Sequence, residues 1–405
     1  MASLALAEHA PAPPDTAAMG ATVQELLDYA ATHNPDLGVA RLDVQAAEAR
    51  VQPAGAFDDP MLEIELREMD RDLNRIGSVK YMFTQPLPFF GKRDLRTEAA
   101  EAGVKAAAGQ ERATAWEIRE RIKVLFAQNY QVHEAARLNH EILGILQDLA
   151  RIAEVRYGSG LAPQQDVIKS QVEQTAIRNE LITLDTEVVH IRGRLNSLLN
   201  RPANAALAEP RALRPAPAAA VMDITALESR LRTNNPLLFT QDAQVAASDA
   251  NRKLTERNRY PDFFIGFGPI QADDRLAAWE AKIGLNIPLQ QESRRSRERE
   301  AAANLDAARA RRDAIASRLL NELHEVFASW EAARRKQDLI ERALLPQATV
   351  NYESALAGYE AGKVDFATLL DAERQVKAAR LERLRARVDQ EARLAQIERM
   401  IGGEL

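Results

Sequence analysis

"WEAKIGLNIP", Trp279 to Pro288, alternates between two kinds of residue. Trp279, Ala281, Ile283, Leu285 and Ile287 hold one set of positions, and Glu280, Lys282, Gly284 and Asn286 hold the other. Successive side chains of a strand point to opposite faces, so this stretch predicts a strand with one apolar and one polar face. Three further stretches are written the same way. Leu62, Ile64 and Leu66 alternate with Glu63, Glu65 and Arg67, and Val79, Tyr81 and Phe83 with Lys80, Met82 and Thr84. Phe263, Ile265 and Phe267 alternate with Asp262, Gly266 and Gly268, although Phe264 interrupts that polar face. The predicted strands cover about 60–68, 78–87, 261–269 and 277–288, each about 8 to 11 residues, the length of a tilted strand crossing a bilayer. Any half-buried sheet alternates too, so one hairpin alone does not separate the two readings.

The rest of the chain narrows the choice. Its 405 residues are 28% charged and only 5% aromatic, with Ala, Leu, Arg and Glu prominent, which is the composition of long helices. A net charge of -6 argues against nucleic acid as the main partner. There is no cysteine, hence no disulfide framework, no thiolate metal site and no lipid-accepting thiol. No run of 18 apolar residues exists, so no transmembrane helix is encoded. The opening "MASLALAEHAPAPPD" has the small-residue texture of a signal-peptide end without its basic or apolar regions, and reads as a mature N-terminus that implies export.

The chain repeats itself. "NPDL" at Asn34 returns as "NPLL" at Asn235, Pro60 is matched by Pro261, and Pro86 of "QPLP" by Pro288 of "IPLQ". "RYGSGLAPQQD", Arg156 to Asp166, has its variant in "GYEAGKVDFAT", Gly358 to Thr368, with Tyr157 and Gly160 falling on Tyr359 and Gly362. The offset is 201 early and 202 late, a register that marks a tandem duplication. The expected plan is an N-terminal extension (1–21), a first repeat (22–200), a Pro/Ala-rich linker (201–222) and a second repeat (223–401). Each repeat holds a helix, two strands, a very long helix, a Gly-marked turn and a second long helix. The long helices are expected over about 91–156 and 163–200, then 290–358 and 364–401.

Those helices carry a seam. Leu138, Ile142, Ile145, Leu149 and Ile152 step four and three residues apart, as do Ile177, Leu181, Leu184, Val188, Ile191, Leu195 and Leu198. Leu319, Leu323, Val326, Trp330 and Ala333 repeat the habit. This is coiled-coil spacing. From Gly91 to Arg156 the helix would run roughly 100 Å and must lie against neighbours along its length. On the helices alone a soluble coiled-coil scaffold, its hairpins packed on a partner, fits as well.

The strands decide against it. Four strands cannot close a barrel, and in lipid an open edge leaves backbone groups unpaired at several kcal/mol each. Protomers must then share one barrel, two giving eight strands and three giving twelve. Glu63, Glu65, Lys80, Glu280 and Lys282 would line its wet lumen, which points to a channel.

At this point the chain resembles the TolC-like outer membrane efflux proteins over nearly its whole length. "YGSG", "YEAG" and "LLDAERQV" carry the likeness, and "QPLPFFGKR", Gln85 to Arg93, is similar to the strand-to-helix junction of the heavy-metal, CzcC- and CusC-like branch. The resemblance implies a mainly α fold with a small membrane barrel, four strands per protomer contributing to a shared twelve-stranded barrel on a helical periplasmic tunnel. It implies a homotrimer in the outer membrane lipid bilayer, working with a periplasmic adaptor and an inner-membrane RND-type pump as a passive exit duct. The cargo would be metal cations, with a drug-efflux or type I secretion duct as the alternative of the same fold. Tyr157, Gly158, Gly160, Tyr359 and Gly362 would form the periplasmic tips that meet the adaptor. The family pattern places two aspartates three residues apart past the second turn. Asp371 matches the inner one, while the other falls on Thr368. An Arg that helps hold that tip is replaced by Val364. Asp166, the first-half counterpart of Thr368, would supply a different acidic ring. For Asp371 and Asp166 alike, an exposed first-turn aspartate favouring its helix's N-terminal dipole remains the alternative.

No catalysis is expected, since no phosphate loop, nucleophile elbow or carboxylate pair stands out. No cofactor or metal site is expected either. His9, His33, His133, His140, His190 and His324 lack the HxxxH spacing of a zinc site. "SRRSRERE", Ser293 to Glu300, reads as a solvated helix face.

Overall fold

A computed structural model describes residues 19–69, 76–217, 221–273 and 275–405. Most of the expected N-terminal extension, with His9, lies outside the described residues, as do 218–220 of the linker. The elements run α1 (Val23–His33), α2 (Pro35–Ala49), α3 (Val51–Gly55), β1 (Met61–Met69), β2 (Ile76–Leu87), α4 (Lys92–Gly158) and α5 (Gln164–Leu198). They continue with α6 (Ile224–Asn234), α7 (Pro236–Arg257), β3 (Asp262–Ala272), β4 (Arg275–Asn286), α8 (Gln291–Leu339), α9 (Leu345–Glu360) and α10 (Phe366–Ile401).

The chain forms two compact units, and each draws on both sequence halves. One comprises the described residues within Met1–Pro35, Ala115–Leu227 and Leu323–Leu405, and the other those within Asp36–Thr114 and Glu228–Glu322. Where one helix was expected at 290–358, α8 and α9 are separated by a π turn over Ile340–Leu344. Pro346 explains it: the residue has no N–H to donate, and its ring crowds the carbonyl four residues back. The wider turn, closed by the Leu345 N–H on the Ile340 carbonyl, accommodates this.

In the first unit the apolar core gathers Ile142, Leu146, Leu149 and Ala153 of α4 with Ile177 of α5, Ala355 and Tyr359 of α9, and Phe366, Leu369, Leu370 and Ala372 of α10. Leu138, Ile145 and Ile152 are only partly buried, so the deepest stripe of α4 keeps Ile142 and Leu149 of the expected seam and takes Leu146 and Ala153 in place of Ile145 and Ile152. A helix that meets several neighbours needs a stripe wider than a two-helix seam.

In the second unit β1-β2-β3-β4 form one antiparallel sheet. Glu65 faces Lys80, Phe83 faces Phe267, and Gly268 faces Glu280. The alternation therefore runs in phase across all four strands. Leu62, Ile64, Phe83, Ile265, Phe267, Trp279 and Leu285 are all exposed on the apolar face, and Ile283 is 84% exposed. Phe267 and Trp279 stack at 4.8 Å. Neither β1 nor β4 has a second strand neighbour among the described residues.

The opposite face is crowded where glycine sits. A Cβ on Gly268 would lie 1.7 Å from the Tyr81 carbonyl oxygen, and one on Gly284 would lie 2.0 Å from Cζ of the Phe264 ring. Phe264, which interrupts the polar alternation in the sequence, fills the space that Gly284 leaves. Gly268→Val is expected to keep β2 and β3 from pairing in register. Amide I infrared spectra of the purified protein should then lose antiparallel-sheet intensity; an unchanged spectrum contradicts the close approach.

Candidate functional site: the paired helix tips and the polar sheet face

The two glycine turns share one geometry. At the end of α4 the Leu161 N–H bonds the Arg156 carbonyl at 2.8 Å and the Gly160 N–H bonds the Tyr157 carbonyl at 2.9 Å. At the end of α9 the Lys363 N–H bonds the Gly358 carbonyl at 2.8 Å and the Gly362 N–H bonds the Tyr359 carbonyl at 3.0 Å. Both are Schellman closures, which satisfy the last helical carbonyls and need a left-handed residue. Gly160 at φ +69 and Gly362 at φ +70 supply it. Gly158 lies inside the last turn of α4, and Tyr157 is exposed.

The helices that follow begin differently. Pro163 precedes α5 as its N-cap without a side-chain bond. Asp365, its counterpart at an offset of 202, caps α10, accepting from the Thr368 N–H at 2.9 Å and the Thr368 hydroxyl at 2.6 Å. Those bonds hold the Asp365 carboxyl below its usual range. Thr368 thus spends its hydroxyl on the cap. The Asp-x-x-Thr pattern is legible as a helix start, but sequence reading passed over it.

Two contacts join the tips. The Tyr359 hydroxyl donates to Asp166 Oδ2 at 3.3 Å. Arg156 donates from Nη1 to the Glu360 carbonyl at 2.7 Å, and its guanidinium lies 5.0 Å from the centre of the Tyr359 ring. Tyr359 is only 2% exposed; burial, then the charge of Asp166 and the bond to it, push its hydroxyl up to about 12, with Arg156 opposing. Asp166 lies in the first turn of α5 but is only 7% exposed, its carboxylate turned to Tyr359 within the protomer. The counterpart of Arg156 is Gly358, so the guanidinium link exists on one side only.

Asp371 sits differently. Its side chain is 68% exposed, 3.6 Å from the Arg374 guanidinium. Arg374 forks onto Glu173 of α5, Nε to Oε1 at 3.2 Å and Nη2 to Oε2 at 2.5 Å. Lys377 reaches Glu180 of α5 at 2.7 Å. Elsewhere in this unit Glu398 of α10 is buried beneath two cations, Lys123 Nζ at 2.8 Å and Arg214 Nη1 at 2.5 Å, while Arg214 Nε bonds Glu391 at 2.6 Å. Burial alone would raise the Glu398 carboxyl, but Arg214 and then Lys123 outweigh it and hold the group below its usual range. These partners lie far apart in sequence and left no local signal.

On the sheet, Glu63, Glu65, Lys80, Glu280 and Lys282 share the polar face. Lys80 of β2 reaches across β3, which offers Gly266 and Gly268 there, to Glu280 of β4 at 2.7 Å; Glu65 is 3.8 Å away. Lys282 lies 5.4 Å from the Phe264 ring centre. At the β2–α4 junction, Lys92 is buried and bonds Asp262 at 2.7 Å and the Tyr260 carbonyl at 3.1 Å. That accounts for the lysine of "QPLPFFGKR". His33 stacks on Tyr29 and the His133 ring bonds the Asn129 carbonyl. Among the described residues no three His, Cys, Asp or Glu side chains are placed to hold a metal ion, and no helix is long and apolar enough to cross a membrane.

The family model for outer membrane efflux proteins matches the chain twice, over residues 26–201 and 227–403. The chain belongs to the outer membrane efflux protein family. It is accordingly an efflux channel of the bacterial outer membrane with its helical part in the periplasm, a conduit and not an enzyme. It is 26% identical to the cobalt-zinc-cadmium resistance protein CzcC of Cupriavidus metallidurans, over 92% of this chain and 87% of that protein. In fold it is similar to the outer-membrane channel OprN, with a TM-score of 0.82, 20% identity, and coverage of 94% and 90% of the two chains. It is also similar to the outer membrane protein VceC of Vibrio cholerae, with a TM-score of 0.81, 17% identity, and coverage of 94% and 96%.

Proposed function

We propose that three copies of this efflux channel close one twelve-stranded barrel and act together as the passive exit duct of a tripartite pump. The open sheet is the observation that carries this reading. Among the described residues its apolar face has no cover and neither edge has a partner strand, a combination that lipid tolerates only when the sheet closes. Three copies place Glu63, Glu65, Lys80, Glu280 and Lys282 around a water-filled lumen. The tips around Tyr157, Gly158, Gly160, Tyr359 and Gly362 are the contact for a periplasmic adaptor and, through it, an RND-type inner-membrane pump. Tyr359–Asp166 and Arg156–Glu360 hold the two tips of a protomer together, and opening separates them.

The proposed cargo is divalent metal cations. The likeness to CzcC and the "QPLPFFGKR" junction support that branch. Three Asp371 carboxylates converging near the axis would favour cations there. Asp371→Ala is expected to lower the cation-to-anion permeability ratio of the reconstituted channel severalfold. Asp166→Ala, which removes a buried acceptor, is expected to raise open probability and leave that ratio unchanged. Reversal-potential measurements in asymmetric KCl check both; an unchanged ratio in Asp371→Ala removes that residue from the conduction path. Cargo itself is tested by zinc, cobalt and cadmium tolerance of cells carrying the duct with its cognate pump. Restored dye export with no gain in metal tolerance would place it in a drug-efflux system instead.

A further inference from the structure

Glu373, about two turns into α10 from the tip, is a buried ionisable group that the tip contacts do not use. It is 3% exposed, and its Oε2 is buried without a hydrogen-bond partner among the described residues. The nearby charges are already engaged. On α5, Glu173 is held by Arg374, and Glu180 by Lys377. On α10 itself, Arg374 also faces Asp371, and Lys377 completes the set. From α9 the neighbouring titratable group is Tyr352, and α4 contributes Leu146 and Leu149 to the adjoining apolar cluster. Both nearby cations therefore serve α5 carboxylates, and Glu373 is left inside the helix pairing with a second carboxylate, Glu173, beside it.

We propose that Glu373 is a proton-operated latch on the packing of α10 against α5: neutral, it lets the helices stay closed, and ionised, it favours their parting. A carboxylate without a full set of partners is costly to bury, and a like charge nearby adds to the cost. Parting the helices returns water to the group and removes the penalty. The group's titration agrees in direction: burial, then the charge of Glu173, push Glu373 up to about 7 from 4.5. A raised carboxyl means that the closed packing holds a proton which the parted one releases. Parting therefore gains ground as pH rises from the ordinary carboxyl value of 4.5 to about 7, and is flat on either side. The latch stands on α5–α10 packing alone, while its effect on conduction rests on the gating proposed above.

The test is hydrogen–deuterium exchange of the assembled full chain, following peptides over 366–380 from pH 5 to pH 8 and correcting for the intrinsic pH dependence of exchange. The corrected opening equilibrium should rise by up to about tenfold per pH unit and level off near neutrality. Glu373→Gln should abolish the rise, and so should Glu373→Leu, which keeps the position filled should the amide impair assembly. A flat wild-type profile, or the same rise in both variants, overturns the latch. Conductance over the same range separates the two ideas. A latch seen in exchange but absent from conductance would count against tip gating and leave the latch standing.

Discussion

Tyr359→Phe combined with Arg156→Ala should shift the channel strongly towards its open state. The first substitution removes one hydroxyl from a buried pair and leaves Asp166 without its donor, a loss of about 1–3 kcal/mol if the bond exists only while the tips are together. The second removes the guanidinium from the Glu360 carbonyl and from the face of Tyr359. Each protomer carries its own pair of contacts, so a trimer loses three sets. An increase in open probability of at least tenfold is expected, with Tyr359→Phe alone falling between wild type and the double variant. Single-channel recording reads the result. Because Gly358 stands where Arg156 has its counterpart, Lys363→Ala on the other tip should do little.

The largest stability effect is expected at Glu398. Glu398→Ala would leave Lys123 and Arg214 facing each other in a buried site, at a cost of about 3–5 kcal/mol. Thermal unfolding of the purified protein should show a clear fall in midpoint. Glu398→Gln, which keeps the shape but not the charge, should fall between. The wild-type contribution has a defined pH sense. Glu398 is held below its usual value in the folded state, so its stabilisation is present above about pH 4.5 and is lost as pH falls through the folded value. Glu391, whose carboxyl burial pushes up in spite of Arg214, works in the opposite sense. A Glu398→Ala midpoint equal to wild type would show that the network contributes nothing to the fold.

The architecture was legible because periodicity writes directly into residue choice. The alternation in "WEAKIGLNIP" and its three counterparts survives as a single exposed face, since a one-residue slip would have turned the slipped strand's apolar side chains onto the polar face. The glycine turns were legible for a similar reason: a positive φ at Gly160 and Gly362 leaves little alternative to glycine. The π turn was less so, because Pro346 announces a disturbed helix without saying whether it kinks, breaks or widens. The polar contacts were hidden. Arg374–Glu173 spans 201 residues and Lys123–Glu398 spans 275, and no spacing rule joins positions so distant. Asp166 shows the cost. The sequence places it in the first turn of a helix, where it is, and only the packing of α9 brings Tyr359 to it.

The most direct measurement of the account is single-channel recording of the purified full chain in planar lipid bilayers. It should give discrete conductance steps of uniform size, with long openings in Tyr359→Phe/Arg156→Ala at the same unitary conductance. Bilayers that stay silent for both proteins would contradict the shared-barrel channel itself. Steps identical in open probability for the two would contradict the gate at the helix tips.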